Sequence, residues 1–469
     1  MSASTRLLAI ALGLLAGALA IVPGARAATA PYRAGEVVVK YAAGLNSTQR
    51  ARIQRANGIH APLVFAPYAR RLTITDGQSV EATVRDLRAT AGVVDAHPNY
   101  VARATGYVPN DPGRANQPTG WQQSQWNLTG PFGVRAPDAW ERMIALGRPG
   151  GQGVVVAVLD SGVAYRNRGR FQRSPDLRPD GFRKGYDFVD NDAYPLDHNG
   201  HGTHVASTIA EAADNSFGLV GLAYNTKIMP VRVLDRLGEG DSVAISSGIR
   251  YAAKRGAKII NLSFEFCSLG PDCAPVTADQ IPDILDALRY AKRKGSLVVG
   301  AAGNASAKVV AYPARSSSVL SVGATTEHGC LASYANTGAS LDLVAPGGGG
   351  DADIEGDPNC RPNDEPGGDI LQVTFSGGSV RRFGIPEGYM GTSMAAPHVS
   401  ATAALIVASG VIGVNPTPDQ LERHLKATAT EMGAPGPDER YGAGLVNAAQ
   451  AVAPIAPPAP TPAPTPPPG

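Results

Sequence analysis

The sequence predicts an α/β protein, a doubly wound and mostly parallel sheet preceded by a small α+β domain. Three observations carry that reading. Val154-Val155-Val156-Ala157-Val158-Leu159 is apolar and mostly β-branched with no polar alternation, as expected of a strand covered on both faces in a parallel sheet. Leu297-Val298-Val299 repeats the pattern. Ala401-Thr402-Ala403-Ala404-Leu405-Ile406-Val407 lacks a polar face and can only be a buried helix.

Taken in order, residues 1–27 read as a signal peptide: Arg6 supplies a basic start, Leu7 to Val22 an apolar run, and Ala25-Arg26-Ala27 a small-x-small cleavage site. Export is therefore expected, to the medium or the periplasm. The run is too short and too rich in Gly and Ala for a membrane span, and no later uninterrupted apolar stretch reaches about 18 residues, so no membrane span is expected. Residues 28–107 alternate strand and helix. Glu36 to Tyr41 is a strand, Ser47 to Asn57 a helix capped by Ser47, and Arg71 to Ile74 a strand. Ser79 to Ala91 is a helix and Val93 to Ala96 a strand. Val108 to Trp121, rich in Pro, Gly and Asn, reads as a cleavable junction. The main domain is expected over 108–452. Residues 453–469 are almost entirely Pro, Ala and Thr and read as an extended spacer.

Chemistry concentrates at the ends of the main elements. Gly391-Thr392-Ser393-Met394 runs into the buried helix, so Ser393 sits where unpaired N–H groups and the positive dipole end converge, a place that stabilises an oxyanion. Pro397 is expected within the first turn, where its missing N–H costs no bond. Asp160 ends the Val154 strand, at the ligand-binding edge of such a sheet. Asn199-Gly200-His201-Gly202-Thr203-His204 opens a further helix, and His201 can bridge Asp160 and Ser393 as a base held by a carboxylate. Each residue also has a plainer reading: Ser393 a helix cap, Asp160 a turn cap, His201 and His204 a metal pair. Zinc is disfavoured, because no third ligand motif appears and the cysteines form no close pairs.

Together, Val158-Leu159-Asp160-Ser161-Gly162, His201-Gly202-Thr203-His204-Val205-Ala206 and Gly391-Thr392-Ser393-Met394-Ala395-Ala396-Pro397-His398-Val399 resemble the subtilisin-like serine proteases, and Val108-Pro109-Asn110-Asp111-Pro112 with Tyr186-Asp187-Phe188-Val189-Asp190-Asn191-Asp192 make the resemblance thermitase-like. The resemblance spans Asn110 to Val452. It implies a secreted endopeptidase working through an Asp160-His201-Ser393 triad and an acyl-enzyme. Ala301-Ala302-Gly303-Asn304 resembles the family's oxyanion segment, which makes Asn304 a donor, although on its own it reads as a turn residue. Residues 28–107 resemble an inhibitor-type propeptide, including His97-Pro98-Asn99-Tyr100, and the enzyme is expected to cut its own junction between Arg103 and Trp121. The resemblance places Ser263, Phe264, Glu265 and Gly303 along the substrate, which would be bound through its main chain and with broad specificity. Phe264 and Glu265 stand where relatives carry Leu-Gly, Ser207 where they carry Gly, and Ser400 where Ala is common.

Calcium is the one cofactor expected. Asp187, Asp190 and Asp192 crowd one loop, where their repulsion calls for a cation. The resemblance adds Asp111, Asp176 and Asn215 with carbonyls of the Asn215-Ser216-Phe217-Gly218-Leu219 loop, while Tyr194 replaces a threonine or aspartate of relatives. Four cysteines without a CxxC pair fit an oxidising compartment; of three possible pairings, Cys267 with Cys273 and Cys330 with Cys360 are expected. A net charge of +2 with scattered Lys and Arg excludes a nucleic-acid footprint. The expected partners are protein and peptide substrates and the chain's own propeptide, with the enzyme a monomer. A silent subtilase fold used for binding, or an esterase with the same triad, are the other functional classes.

Overall fold

The computed structural model describes residues 32–60, 70–100, 107–267 and 276–454. The predicted signal peptide, Arg103, Cys273 and most of the Pro-rich tail lie outside them. The chain divides into two compact units, 1–105 and 106–469.

In the first unit, β1 (Tyr32–Tyr41), α1 (Ser47–Ala56), β2 (Ile59–His60), β3 (Arg70–Ile74), α2 (Val80–Arg88) and β4 (Val93–Tyr100) follow one another. The strands form an antiparallel sheet in the order β2-β3-β1-β4. Val37, Val39, Leu72, Leu87 and Ala96 are fully buried in its core. Three sequence expectations shift. The cap of α1 is Asn46 rather than Ser47, because Asn46 and Gln49 close a reciprocal capping box. Helix α2 ends at Arg88, three residues early, and β4 runs on to Tyr100.

The second unit opens with the short helices α3 (Trp121–Ser124) and α4 (Trp126–Thr129) and with α5 (Ala136–Ala145). A seven-stranded sheet follows. Its strands are β5 (Val155–Asp160), β6 (Tyr186–Asp187), β7 (Lys227–Arg232), β8 (Ile259–Leu262), β9 (Leu297–Ala301), β10 (Leu320–Thr325) and β11 (Leu343–Pro346). Every pairing is parallel, in the order β11-β10-β9-β8-β5-β7-β6. From β5 the chain goes to the edge at β6, fills the place between them with β7, and then crosses to the other side of β5 with β8. That reversal puts a crevice beyond the carboxyl end of β5, where Asp160 stands. Helices α6 (His201–Ala210), α7 (Ser242–Lys254) and α8 (Pro282–Arg293) supply crossovers. A hairpin, β12 (Thr374–Ser376) with β13 (Ser379–Gly384), was not legible in the sequence. Helix α9 (Thr392–Ser409) packs against β8, β9, β10 and α6, with Ala403, Ala404, Leu405 and Ile406 fully buried, which is why the segment lacks a polar face.

Candidate active site

Asp160 is fully buried at the end of β5 and accepts from the Ser161 N–H at 2.7 Å. The start of α6 comes very close to it: a Cβ on Gly202 would stand 2.1 Å from the Gly162 carbonyl and 3.0 Å from the Asp160 Cβ. Only glycine permits this approach, and it brings His201 Nδ1 to 2.8 and 3.0 Å from the two Asp160 oxygens. Nδ1 thus donates to Asp160, leaving Nε2 free to accept a proton. Burial pulls the proton affinity of His201 down, but the charge and hydrogen bond of Asp160 outweigh it, and the net shift is upward.

The turn ahead of α6 hangs on Asp197, a residue the sequence reading missed. Its buried carboxylate accepts from Ser161 Oγ, from the N–H groups of Asn199, Gly200 and Thr203, and from Thr203 Oγ1. His204 faces away from this centre. It is buried, bonds the Ile370 carbonyl at 2.9 Å and stacks on Tyr389, and burial holds its pKa down at about 3.

Ser393 is the second residue of α9, so its N–H has no intrahelical acceptor. Its hydroxyl donates to the Ser263 carbonyl at 3.0 Å, while Ser263 Oγ donates back to the Ser393 carbonyl at 2.8 Å. The expected hydrogen bond to His201 is therefore replaced here by one to Ser263. Pro397 also differs from expectation. It is the sixth residue of α9, beyond the first turn, and its missing N–H frees the Ser393 carbonyl. Ser263 Oγ fills that vacancy. Ser263 is itself held by Asn261 Nδ2 at 2.9 Å, and Asn261 Oδ1 by Ser400 Oγ at 2.8 Å, which gives the unusual Ser400 a role. Ser207, the other departure, bonds the Val373 carbonyl.

Asn304 lies just past β9. Its Oδ1 accepts from the Thr392 N–H at 2.8 Å and from Thr392 Oγ1 at 2.9 Å. Since an N–H can only donate, the amide oxygen must face Thr392, and Nδ2 is turned toward the exposed side. Thr392 Oγ1 also accepts from the Gly303 N–H, tying β9 to α9. Asn336 Oδ1 holds the N–H groups of Ala305 and Ala307. Ser263, Phe264 and Glu265 continue β8 past its last ladder pair, and Glu265 Oε1 accepts from the Asn304 N–H at 3.0 Å.

Residues 151–444 match the Peptidase S8 subtilase family, and residues 21–99 the N-terminal prodomain of fervidolysin. The chain belongs to the subtilase family. It is a subtilisin-like serine protease with an N-terminal prodomain. A thermophilic serine proteinase of Bacillus sp. strain AK1 is 35% identical over 413 residues, covering 88% of this chain and 86% of the relative. Thermitase of Thermoactinomyces vulgaris is 33% identical over 346 residues, 74% of this chain and 99% of thermitase. A solved protease from Pseudoalteromonas arctica has 30% identity and a TM-score of 0.57, covering 74% of this chain and 99% of that one. Among the described residues no helix of this subtilase is long and apolar enough to cross a membrane.

The two expected calcium groups differ. On the 187–192 loop the balancing cation is a side chain: Arg232 Nη1 lies 2.9 Å from Asp187 Oδ2 and 2.6 Å from Asp190 Oδ2. Asp192 Oδ1 accepts from the Tyr194 N–H, and all three aspartates line one cavity with Tyr194 and His198. Arg232 on β7 thus offsets part of the negative charge of this loop. Asp111, Asp176 and Asn215 do come together. Asn215 donates its side-chain N–H to Asp176 at 2.7 Å and its backbone N–H to Asp111 at 3.3 Å. Both carboxylates are fully buried, and burial pushes Asp176 up to about 8. Buried Glu211, its Oε2 without a partner, adds to this negative field, so the group has the hard oxygens and uncompensated charge that suit a divalent cation. Among the described residues, no three His, Cys, Asp or Glu side chains converge as a ready-made metal site.

Cys330 and Cys360 form a disulfide, as expected. The Cys267 to Cys273 pairing lies outside the described residues.

Proposed function

We propose that this subtilase is a secreted endopeptidase in which Ser393 attacks the peptide carbonyl, His201 takes the hydroxyl proton through Nε2, and Asp160 fixes the imidazole tautomer and stabilises the imidazolium. The observation that carries this reading is the buried Asp160 to His201 Nδ1 contact at 2.8 Å, which leaves Nε2 as the accepting nitrogen. The Ser393 N–H and Asn304 Nδ2 hold the oxyanion. Collapse of the tetrahedral intermediate expels the amine, which takes its proton from His201, and leaves an acyl-Ser393. Water, activated by the same imidazole, then releases the acid.

The backbone of 263–265, continuing beyond β8, pairs with the substrate as an added strand and gives affinity that is largely independent of sequence. Residues 1–27 direct export, 28–107 are the inhibitory propeptide, 108–452 the mature enzyme and 453–469 a spacer. Self-cleavage between Arg103 and Trp121 releases it, as a monomer. Calcium, which subtilases commonly bind, is assigned to Asp111, Asp176 and Asn215. These residues would hold it as a structural ion that offsets their buried charge.

A fluorophosphonate tests the nucleophile. Covalent labelling at Ser393, with loss of peptide release from a denatured protein mixture, is expected; labelling elsewhere, or peptide release by the fully labelled enzyme, would overturn the assignment.

A further inference from the structure

Glu265 is a carboxylate where the family pattern has no side chain, and its surroundings direct it at the acyl site. Side chains two apart on an extended segment share a face. Ser263 uses that face to reach the Ser393 carbonyl, and Glu265 uses it to reach the Asn304 N–H at 3.0 Å. The second carboxylate oxygen lies over the preceding residue, since a Cβ on Gly303 would stand 2.6 Å from Glu265 Oε2. The carboxylate thus covers the Gly303–Asn304 peptide, the backbone of the residue whose side-chain amide is proposed to bind the oxyanion. A substrate carbonyl set between Ser393 Oγ and Asn304 Nδ2 would bring its own residue within reach of this carboxylate.

The charge there is unanswered. Among the described residues no basic side chain acts on Glu265; burial raises its proton affinity and only the Asn304 N–H opposes this. A partly buried carboxylate with one neutral donor is costly to keep and is relieved by an incoming cation. The surroundings suit such a cation: Phe264, only partly buried against the core, gives the methylenes of a long basic side chain apolar surface to lie on.

We propose that Glu265 is a specificity-determining residue that selects lysine or arginine at the substrate position whose carbonyl is attacked. The proposal rests on the assignment of Ser393 and Asn304 as the acyl site. It adds a charge preference at one position to recognition that is otherwise through the main chain.

The test uses the mature enzyme and peptides differing only at that position: arginine against citrulline, lysine against norleucine, with alanine and phenylalanine for size. The readout is the ratio of kcat/KM within each enzyme. Wild type should favour each cation over its neutral counterpart at least about tenfold, the scale of a charge-assisted hydrogen bond. In Glu265→Gln, whose amide oxygen still accepts from Asn304, both ratios should fall to within about twofold of one. A wild-type ratio near one overturns the proposal, as does a ratio that Glu265→Gln leaves unchanged. Should wild type instead favour alanine and Glu265→Ala open the site to phenylalanine, Glu265 is a space-filler and the proposal fails. An enzyme that cleaves none of the peptides overturns the protease reading itself.

Discussion

Ser263 and Pro397 should be energetically coupled through one carbonyl. Proline at 397 removes the N–H that would ordinarily bond the Ser393 carbonyl, and Ser263 Oγ supplies the missing donor at 2.8 Å. Ser263→Ala strips that donor and also leaves Asn261 Nδ2, in a fully buried residue, without its acceptor. At roughly 1–3 kcal/mol for each of the two buried groups left unsatisfied, the variant should lose about 2–6 kcal/mol of stability. Pro397→Ala restores a backbone N–H four residues beyond Ser393. In wild type it meets a carbonyl already satisfied, whereas in Ser263→Ala it mends one of the two defects and should return about 1–2 kcal/mol. Changes in unfolded-chain entropy at 397 are common to both backgrounds and cancel in the cycle. Urea unfolding of fluorophosphonate-blocked proteins, which cannot digest themselves, measures all four corners. Additivity within about 0.5 kcal/mol would refute the shared-carbonyl account.

Asn304→Leu should lower kcat by ~100- to 1,000-fold, the range established for a subtilisin oxyanion asparagine, with KM nearly unchanged; unchanged kcat would remove Asn304 from the mechanism. The net upward shift of His201 predicts that kcat/KM climbs with pH through a midpoint above the ordinary 6.5, because Nε2 must be unprotonated to accept. Asp160→Asn should move that midpoint down as well as cutting the rate; a midpoint that stays put would show that Asp160 does not set it. The stability this pair contributes is fully present below the unfolded value of about 6.5 and is lost as pH rises through the higher folded value. Calcium at about 100 times its Kd should stabilise the protein by about 3 kcal/mol, raising Tm, with EDTA reversing the gain. Asp176→Asn should abolish that dependence, and if the variant keeps the full calcium shift the ion binds elsewhere.

What the sequence made legible was local or carried by contiguous motifs. The run Val154 to Leu159 could be read as a buried strand because its β-branched residues face apolar surface on both sides, and Asp160 follows it directly. The start of α9 announced itself in the same way. What stayed hidden depends on contacts across long separations. Asp197 looks like any loop aspartate until five donors converge on it. Arg232 lies on β7, more than forty residues from Asp187 and Asp190, so the guanidinium that offsets part of the loop's acidity is not legible from the loop itself. Pro397 lies a turn deeper than the apolar run suggests because the helix begins at Thr392, ahead of that run, and the donor that tolerates it comes from Ser263. Thr392 and Asn336 carry no chemical signature of their own and position Asn304 only once β9, α9 and the 302–307 loop are folded together.

The maturation of Ser393→Ala tests the central claim most directly. Expressed from the full chain in a host lacking other proteases, wild type should yield a mature N-terminus between Arg103 and Trp121. The variant should accumulate as a folded, uncut precursor, and added wild-type enzyme should then cut it. A Ser393→Ala protein that matures by itself to the same N-terminus would contradict both the nucleophile and the self-processing assignment.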